Sequence, residues 1–151
     1  VLHQRLAMYP GSMAEGGHDF WNSFQLLPVQ DRFTFAGLEW RSYPARHHAP
    51  ESCYSLHLPG HFFYSADTRP VPEILHHKVT GTEWIFHDCG LHPNPSHTGL
   101  ADLEREYQPQ LRQRLVLYHY ADEQAAIAME DAGYRVARPG DSFTLSGPDA
   151  V

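Results

Sequence analysis

The feature that most constrains this chain is a change of period at Asp67. Before it, strands come as hairpins. Residues 32–35 and 38–45 alternate around Ala36-Gly37, and residues 52–58 and 61–65 alternate around Pro59-Gly60. After it, Val71, Ile74, Leu75 and Val79 recur at helical spacing, with Pro70 and Pro72 near the helix start, where proline is tolerated. Strands and helices then take turns. The pattern predicts a strand at 84–86, a helix over 100–107 continuing at 111–115 after Pro109, and an apolar strand at 115–118. A helix over 123–132, stopped by Gly133, and strands at 134–137 and 142–145 complete it. Two hairpins followed by this alternation make an α/β (α+β) fold, a mixed sheet with helices on one face. Residues 1–30 carry Pro10-Gly11 and Gly16-Gly17 without clear periodicity and read as a loop-rich lead-in.

Polar residues gather where the strands end: His47 and His48 after the first hairpin, Asp67 after the second, His87 and His119 after the later two. In open sheets, ligand sites lie beyond the carboxyl ends of strands. Asp67 poses the question most sharply, because a carboxylate at a buried strand end needs a partner. One reading makes it a cap for the helix near Val71, or a turn residue paired with Arg69. The other makes it a metal ligand, with imidazoles supplying neutral nitrogen and the aspartate a charge able to bridge two cations. Twelve histidines supply candidates, although histidine also serves at surfaces and caps.

The formal net charge of −7 disfavours a broad basic surface for nucleic acid, but leaves room for phosphate binding through a metal. Cys53 and Cys89 fit a reducing compartment as two free, largely buried thiols. With no apolar run of 18 residues and no signal-peptide core, a cytoplasmic location and no membrane partner are expected. The chain starts at Val1, and is expected to begin inside a longer gene product.

The strings themselves resemble a known family. From about Phe33 to Leu145 the chain is similar to the C-terminal half of the metallo-β-lactamase-fold hydrolases, most closely the ribonuclease Z-like branch. Tyr64-Ser65-Ala66-Asp67-Thr68-Arg69-Pro70 resembles that branch's YSGDTRP motif, with Ala66 in place of glycine. Ile85-Phe86-His87-Asp88-Cys89 resembles its strand ending in His and an acid, and Ser96-His97-Thr98 stands where it has His-Ser-Thr. Leu115-Val116-Leu117-Tyr118-His119-Tyr120 is similar to the strand that brings the last metal ligand. His47-His48-Ala49-Pro50, shortly before Cys53-Tyr54, resembles the segment carrying an earlier one. The resemblance implies that Asp67 bridges two metals, that His48, or else His47, binds one of them, and that His119 binds the other. His97 would act beside the scissile phosphate as proton donor or oxyanion partner. His87 and Asp88 would orient ligands, and Thr68 would hold the loop. The implied cofactor is a pair of divalent ions, zinc with manganese or iron as alternatives. The implied chemistry is phosphodiester hydrolysis by metal-activated hydroxide.

The family's main metal motif, His-x-His-x-Asp-His, is absent from the chain; His76-His77 lies in the helical stretch with the wrong spacing. Residues 31–151 are therefore read as the C-terminal half of such a domain and residues 1–30 as the tail of a missing N-terminal half. That half, or a second copy, is the expected partner, covering a face drawn from Trp40, Tyr54, Phe62, Phe86 and Leu117. The chain alone is expected to be inactive. After His119 comes Tyr120-Ala121-Asp122-Glu123 rather than the Ser-x-Arg-Tyr of transfer-RNA processing members, so a small phosphodiester or other ester is favoured over nucleic acid as substrate. The rival reading is a non-catalytic metal-binding or interaction domain that lacks the main motif.

Overall fold

The computed structural model describes residues 25–145. The chain divides into two units, Val1–Gln30 and Asp31–Val151. Most of the lead-in, residues 1–24, lies outside the described residues, and 25–30 have no regular structure.

In the second unit seven strands form one sheet whose spatial order follows the sequence. Strands β1 (Arg32–Phe35), β2 (Leu38–Pro44), β3 (Tyr54–Leu58) and β4 (Phe62–Tyr64) form an antiparallel meander. Its first turn uses Ala36 and Gly37, both at positive φ (52° and 77°), which matches the twist of a tight hairpin. Strands β5 (Trp84–Asp88), β6 (Leu115–Tyr118) and β7 (Arg135–Val136) continue in parallel from β4. Parallel neighbours need crossovers, supplied by α1 (Pro72–Lys78), α2 (Leu100–Glu106) with α3 (Pro109–Arg112), and α4 (Glu123–Asp131). Right-handed crossovers that always step in one direction put all these helices on one face. The core between them takes Phe63, Ile85, Leu115, Leu117 and Val136 from the sheet, and Val71, Leu75, Leu103 and Met129 from the helical side.

Three expectations need correction. The helix does not run on past Pro109: Tyr107 and Gln108 are extended (ψ 136° and 150°), as a residue before proline must be, and α3 is a separate turn. Residues 142–145 form no strand; Phe143 instead sets its ring edge-on against Phe86 (5.0 Å) and Trp84 (6.2 Å). Leu117 does not belong to the open face. β6 points Leu115 and Leu117 into the helix-side core, while Val116 and Tyr118 take the opposite side.

That opposite side is aromatic. Trp40 meets Phe62 edge-on (5.8 Å), Phe62 meets Phe86 (6.1 Å), and Tyr64 stacks on Tyr118 (5.1 Å). Tyr54 and Tyr64 are exposed. At the end of the sheet opposite the carboxyl ends of β4, β5 and β6, Glu83 and His57 are both fully buried and paired. Glu83 Oε1 accepts from His57 Nε2 (3.0 Å) and from the Gly60 N–H (2.6 Å), fastening the β3–β4 hairpin to the start of β5. Among the described residues, no helix is long and apolar enough to cross a membrane.

Candidate functional site

The carboxyl ends of β4, β5 and β6 converge on one group. Single donor atoms of Asp67, Asp88, His97 and His119 all lie within 4.8 Å of one another. Asp88 is its hub. Period-two alternation puts Asp88 on the side of Trp84 and Phe86, and its carboxylate is fully buried. Oδ2 accepts from the Thr68 N–H (2.8 Å) and from His97 Nδ1 (2.8 Å), and Oδ1 lies 3.3 Å from His119 Nδ1. Because a carboxylate only accepts, the hydrogen on His97 sits at Nδ1, leaving Nε2 for other work.

Asp67 reaches the group from a turn built to project it. Ser65 is buried: its hydroxyl accepts from the Asp88 N–H (2.9 Å) and donates to the Ala66 carbonyl (2.6 Å). Ala66 then takes a left-handed conformation (φ 54°), so the chain reverses and Asp67 comes to face His119, with Oδ1 4.0 Å from Nε2. The alternative roles for Asp67 do not occur. The N-cap of α1 is Val71, without a side-chain cap, and Arg69 pairs with Asp102. Thr68 holds the loop from within: its hydroxyl accepts from the Arg46 N–H (2.9 Å), and its carbonyl accepts from Thr98 Oγ1 (2.7 Å). His119, directly after β6, is also left-handed (φ 69°), and its ring stacks on His97 at 4.8 Å.

His97 sits on the loop between β5 and α2. Gly90 and Gly99 close that loop through a bridge, with the Gly90 N–H on the Thr98 carbonyl (2.8 Å). A Cβ at Gly99 would fall on the Pro93 backbone nitrogen and the His92 carbonyl carbon, so only glycine allows the loop to fold back this closely.

The remaining candidates fall elsewhere. His48 does not join the group: its backbone is left-handed (φ 49°) and its Nδ1 lies 3.0 Å from the Ser96 hydroxyl. His47 is the nearer of the two, its ring 4.8 Å from that of His97. The His87 ring lies outside the group and meets Asp88 only at its backbone. Alternation turns it into the core, where Nδ1 donates to the Asp88 carbonyl (2.7 Å) and Nε2 accepts from the Tyr107 hydroxyl (2.8 Å). Burial lowers its pKa and keeps it neutral. Burial, with the Asp67 and Asp88 carboxylates nearby, pushes the Cys53 thiol up, and Cys89 is pushed up to about 12. Both cysteines are free, and both are protonated at neutral pH.

Two carboxylates and two imidazoles within reach of each other suit a divalent cation. A cavity of about 680 Å³ opens beside the group, lined by Asp88, His97 and His119 on one side and Leu91, His92 and Gln124 on another. A second, of about 570 Å³, lies on the side of His47, His48, Arg46 and Arg69.

The family description "Anti-Pycsar protein Apyc1" matches residues 3–143. The chain belongs to this Apyc1 family. Over 90 residues it is 34% identical to the anti-Pycsar protein Apyc1 of Paenibacillus harenae, an alignment that takes in 58% of this chain and 37% of that protein. It thus spans little more than a third of its Apyc1 relative. Among solved structures it matches a crystal structure of a new diphosphatase from the PhnP family, with a TM-score of 0.56 and 18% identity over 78% of this chain and 48% of that one. The fold is metallo-β-lactamase-like, as the motifs implied, but the likeness runs to Apyc1 and the PhnP family and not to the ribonuclease Z branch.

Proposed function

We propose that residues 31–151 are the C-terminal half of a metal-dependent phosphodiesterase, and that the whole protein opposes cyclic-nucleotide signalling by hydrolysing a cyclic nucleotide. One observation carries this reading: Asp67, Asp88, His97 and His119 converge at the carboxyl ends of three adjacent strands, beside a cavity large enough for a small ligand. The Apyc1 match supports the substrate class, and the acidic chain fits a small phosphodiester better than a long polyanion.

In this reading Asp67 and His119 hold the cation, with Asp88 fixing His119 and His47 as a further donor; zinc fits this mixed donor set, with manganese or iron as alternatives. When bound, the cation supplies Lewis acidity towards phosphoryl oxygen and acidifies water. His97 would perform the proton work: Asp88 holds its Nδ1–H, and Nε2, which takes up a second proton from solvent before the step, delivers it to the departing ester oxygen as that oxygen leaves phosphorus and the oxygen of the attacking water takes its place.

The aromatic face of the sheet points to the other half of the protein. Trp40, Phe62, Tyr64, Phe86 and Tyr118 form a continuous patch of the kind that is usually covered by a partner. The missing N-terminal half is the proposed cover, with a second copy as the competing occupant.

The test is hydrolysis of a cyclic nucleotide by the full-length protein with and without chelator, beside the isolated 151-residue chain. The reading expects chelator-sensitive turnover by the whole protein and almost none by the chain alone. Metal binding without turnover of any cyclic nucleotide would favour the non-catalytic metal-binding alternative.

A further inference from the structure

The Asp67 turn does more than deliver a ligand. Within four residues it sends three groups to three places. The Asp67 carboxylate faces His119, the Thr68 N–H binds Asp88, and the Arg69 guanidinium reaches across to the loop that carries His97. There one nitrogen, Arg69 Nη1, donates to the His97 carbonyl (2.8 Å) and to Asp102 Oδ2 (2.5 Å). Asp102 is 1% exposed. Besides Arg69 it accepts from the Gly99 N–H (3.1 Å) and from Arg105 Nη2 (2.6 Å), and none of these contacts includes the metal-binding group. A buried carboxylate is costly unless paired and hydrogen-bonded, so its strongest partner, Arg69, is fixed in place.

We propose that Arg69 and Asp102 are positioning residues for His97, clamping its main chain so that its Nδ1 meets Asp88 and its Nε2 faces the departing oxygen. The proposal rests on the role given to His97 above. His97 is tied at its N–H by Asn94 Oδ1 (2.9 Å), at its carbonyl by Arg69, and at its ring by Asp88. The loop ends at Gly99, whose own N–H is held by the same Asp102 carboxylate that anchors Arg69. Removing the Asp102 charge loosens two of the attachments on the C-terminal side of His97, the Arg69 clamp and the Gly99 N–H, while the Asn94 N–H on the His97 carbonyl (3.2 Å) and the bonds of Thr98 remain. A shift of about 1 Å at a proton donor costs on the order of 100-fold in rate.

The experiment uses the full-length protein and two phosphodiesters: a cyclic nucleotide, whose alkoxide leaving group needs a proton, and bis(p-nitrophenyl) phosphate, whose phenolate does not. His97→Ala sets the benchmark, with a loss of about 100-fold or more on the first substrate and under about 10-fold on the second. Asp102→Asn and Arg69→Met are expected to reproduce that selectivity, with at least a tenfold greater loss on the cyclic nucleotide and unchanged metal content. Arg105→Ala, which removes only the exposed contact to Asp102, is expected to leave both rates alone. Equal losses on the two substrates, or none, in Asp102→Asn and Arg69→Met while His97→Ala keeps its selectivity would overturn the positioning role and leave the proposed function standing. Where Asp102→Asn does not fold, Arg69→Met decides from the half-exposed end of the link; failure of both to fold marks the pair as structural and also overturns it. Absence of selectivity in His97→Ala itself would remove the proton-donor role, and this inference with it.

Discussion

Ala66 shows how a single residue carries both information and strain. The related motif has glycine at this position, and the backbone here is left-handed (φ 54°), a conformation that costs an ordinary side chain about 1–2 kcal/mol. Glycine loses more chain entropy on folding, which offsets part of that. Ala66→Gly is therefore expected to stabilise the full-length protein by roughly 0.5–1 kcal/mol in urea unfolding without lowering activity. Asp102 makes a second prediction at this scale. Burial alone would raise its pKa, but hydrogen bonds from Arg69, Gly99 and Arg105 outweigh that and hold it below the usual carboxylate range. A depressed folded pKa contributes stability above the unfolded value of about 3.9, lost as pH falls through the lower folded value. Acid unfolding of Asp102→Asn should therefore show a shallower pH dependence below about pH 4 than the parent. The convergence of Asp67, His97 and His119 was legible because strand ends and motif strings single them out. The place of Asp88 was legible in principle too. It shares parity with Phe86 and Trp84, whereas His87 shares parity with Ile85, so alternation already turns one out and the other in. That the ring of His47 lies against His97 while His48 turns to Ser96 was not legible, since no periodicity records the left-handed φ at His48.

At the scale of elements, the hairpins and parallel strands followed from period and turn chemistry, while the links between them did not. The sequence placed β6 by its apolar run but could not say that Arg69 crosses from the β4–α1 turn to Asp102 in the first turn of α2, a pairing 33 residues apart in sequence. Nor did it reveal the buried Glu83–His57 pair, since both look like ordinary surface residues in an alternating pattern. Glu83→Ala leaves His57 and the Gly60 N–H without their acceptor. It should destabilise the protein by about 3 kcal/mol, measured by chemical denaturation, and leave metal content intact in the fraction that folds. The β5–α2 loop depends on Gly99 in another way. Gly99→Ala must push away the backbone at His92 and Pro93, and so displaces the loop that ends in His97. Its expected signature is a loss of turnover on the cyclic nucleotide with little change in global stability, read from kinetics beside a thermal melt. An unchanged rate would mean that the loop adapts without moving His97.

Among the described residues, the second unit is a one-sheet layer with helices on one side and aromatic rings on the other. A layer of this kind buries only one of its faces. The isolated chain is accordingly expected to self-associate or to bind an added N-terminal half, and sedimentation velocity of the chain alone would read this directly; a monomer at high concentration would contradict it. The central claim is that Asp67 and His119, where they converge with Asp88 and His97, hold a divalent cation. Metal content of full-length Asp67→Asn, by elemental analysis beside a thermal melt with and without chelator, tests it most directly. Asparagine keeps the size of the side chain and removes its charge. The account predicts that metal and activity are lost together while the fold persists. Full metal occupancy in Asp67→Asn would contradict it.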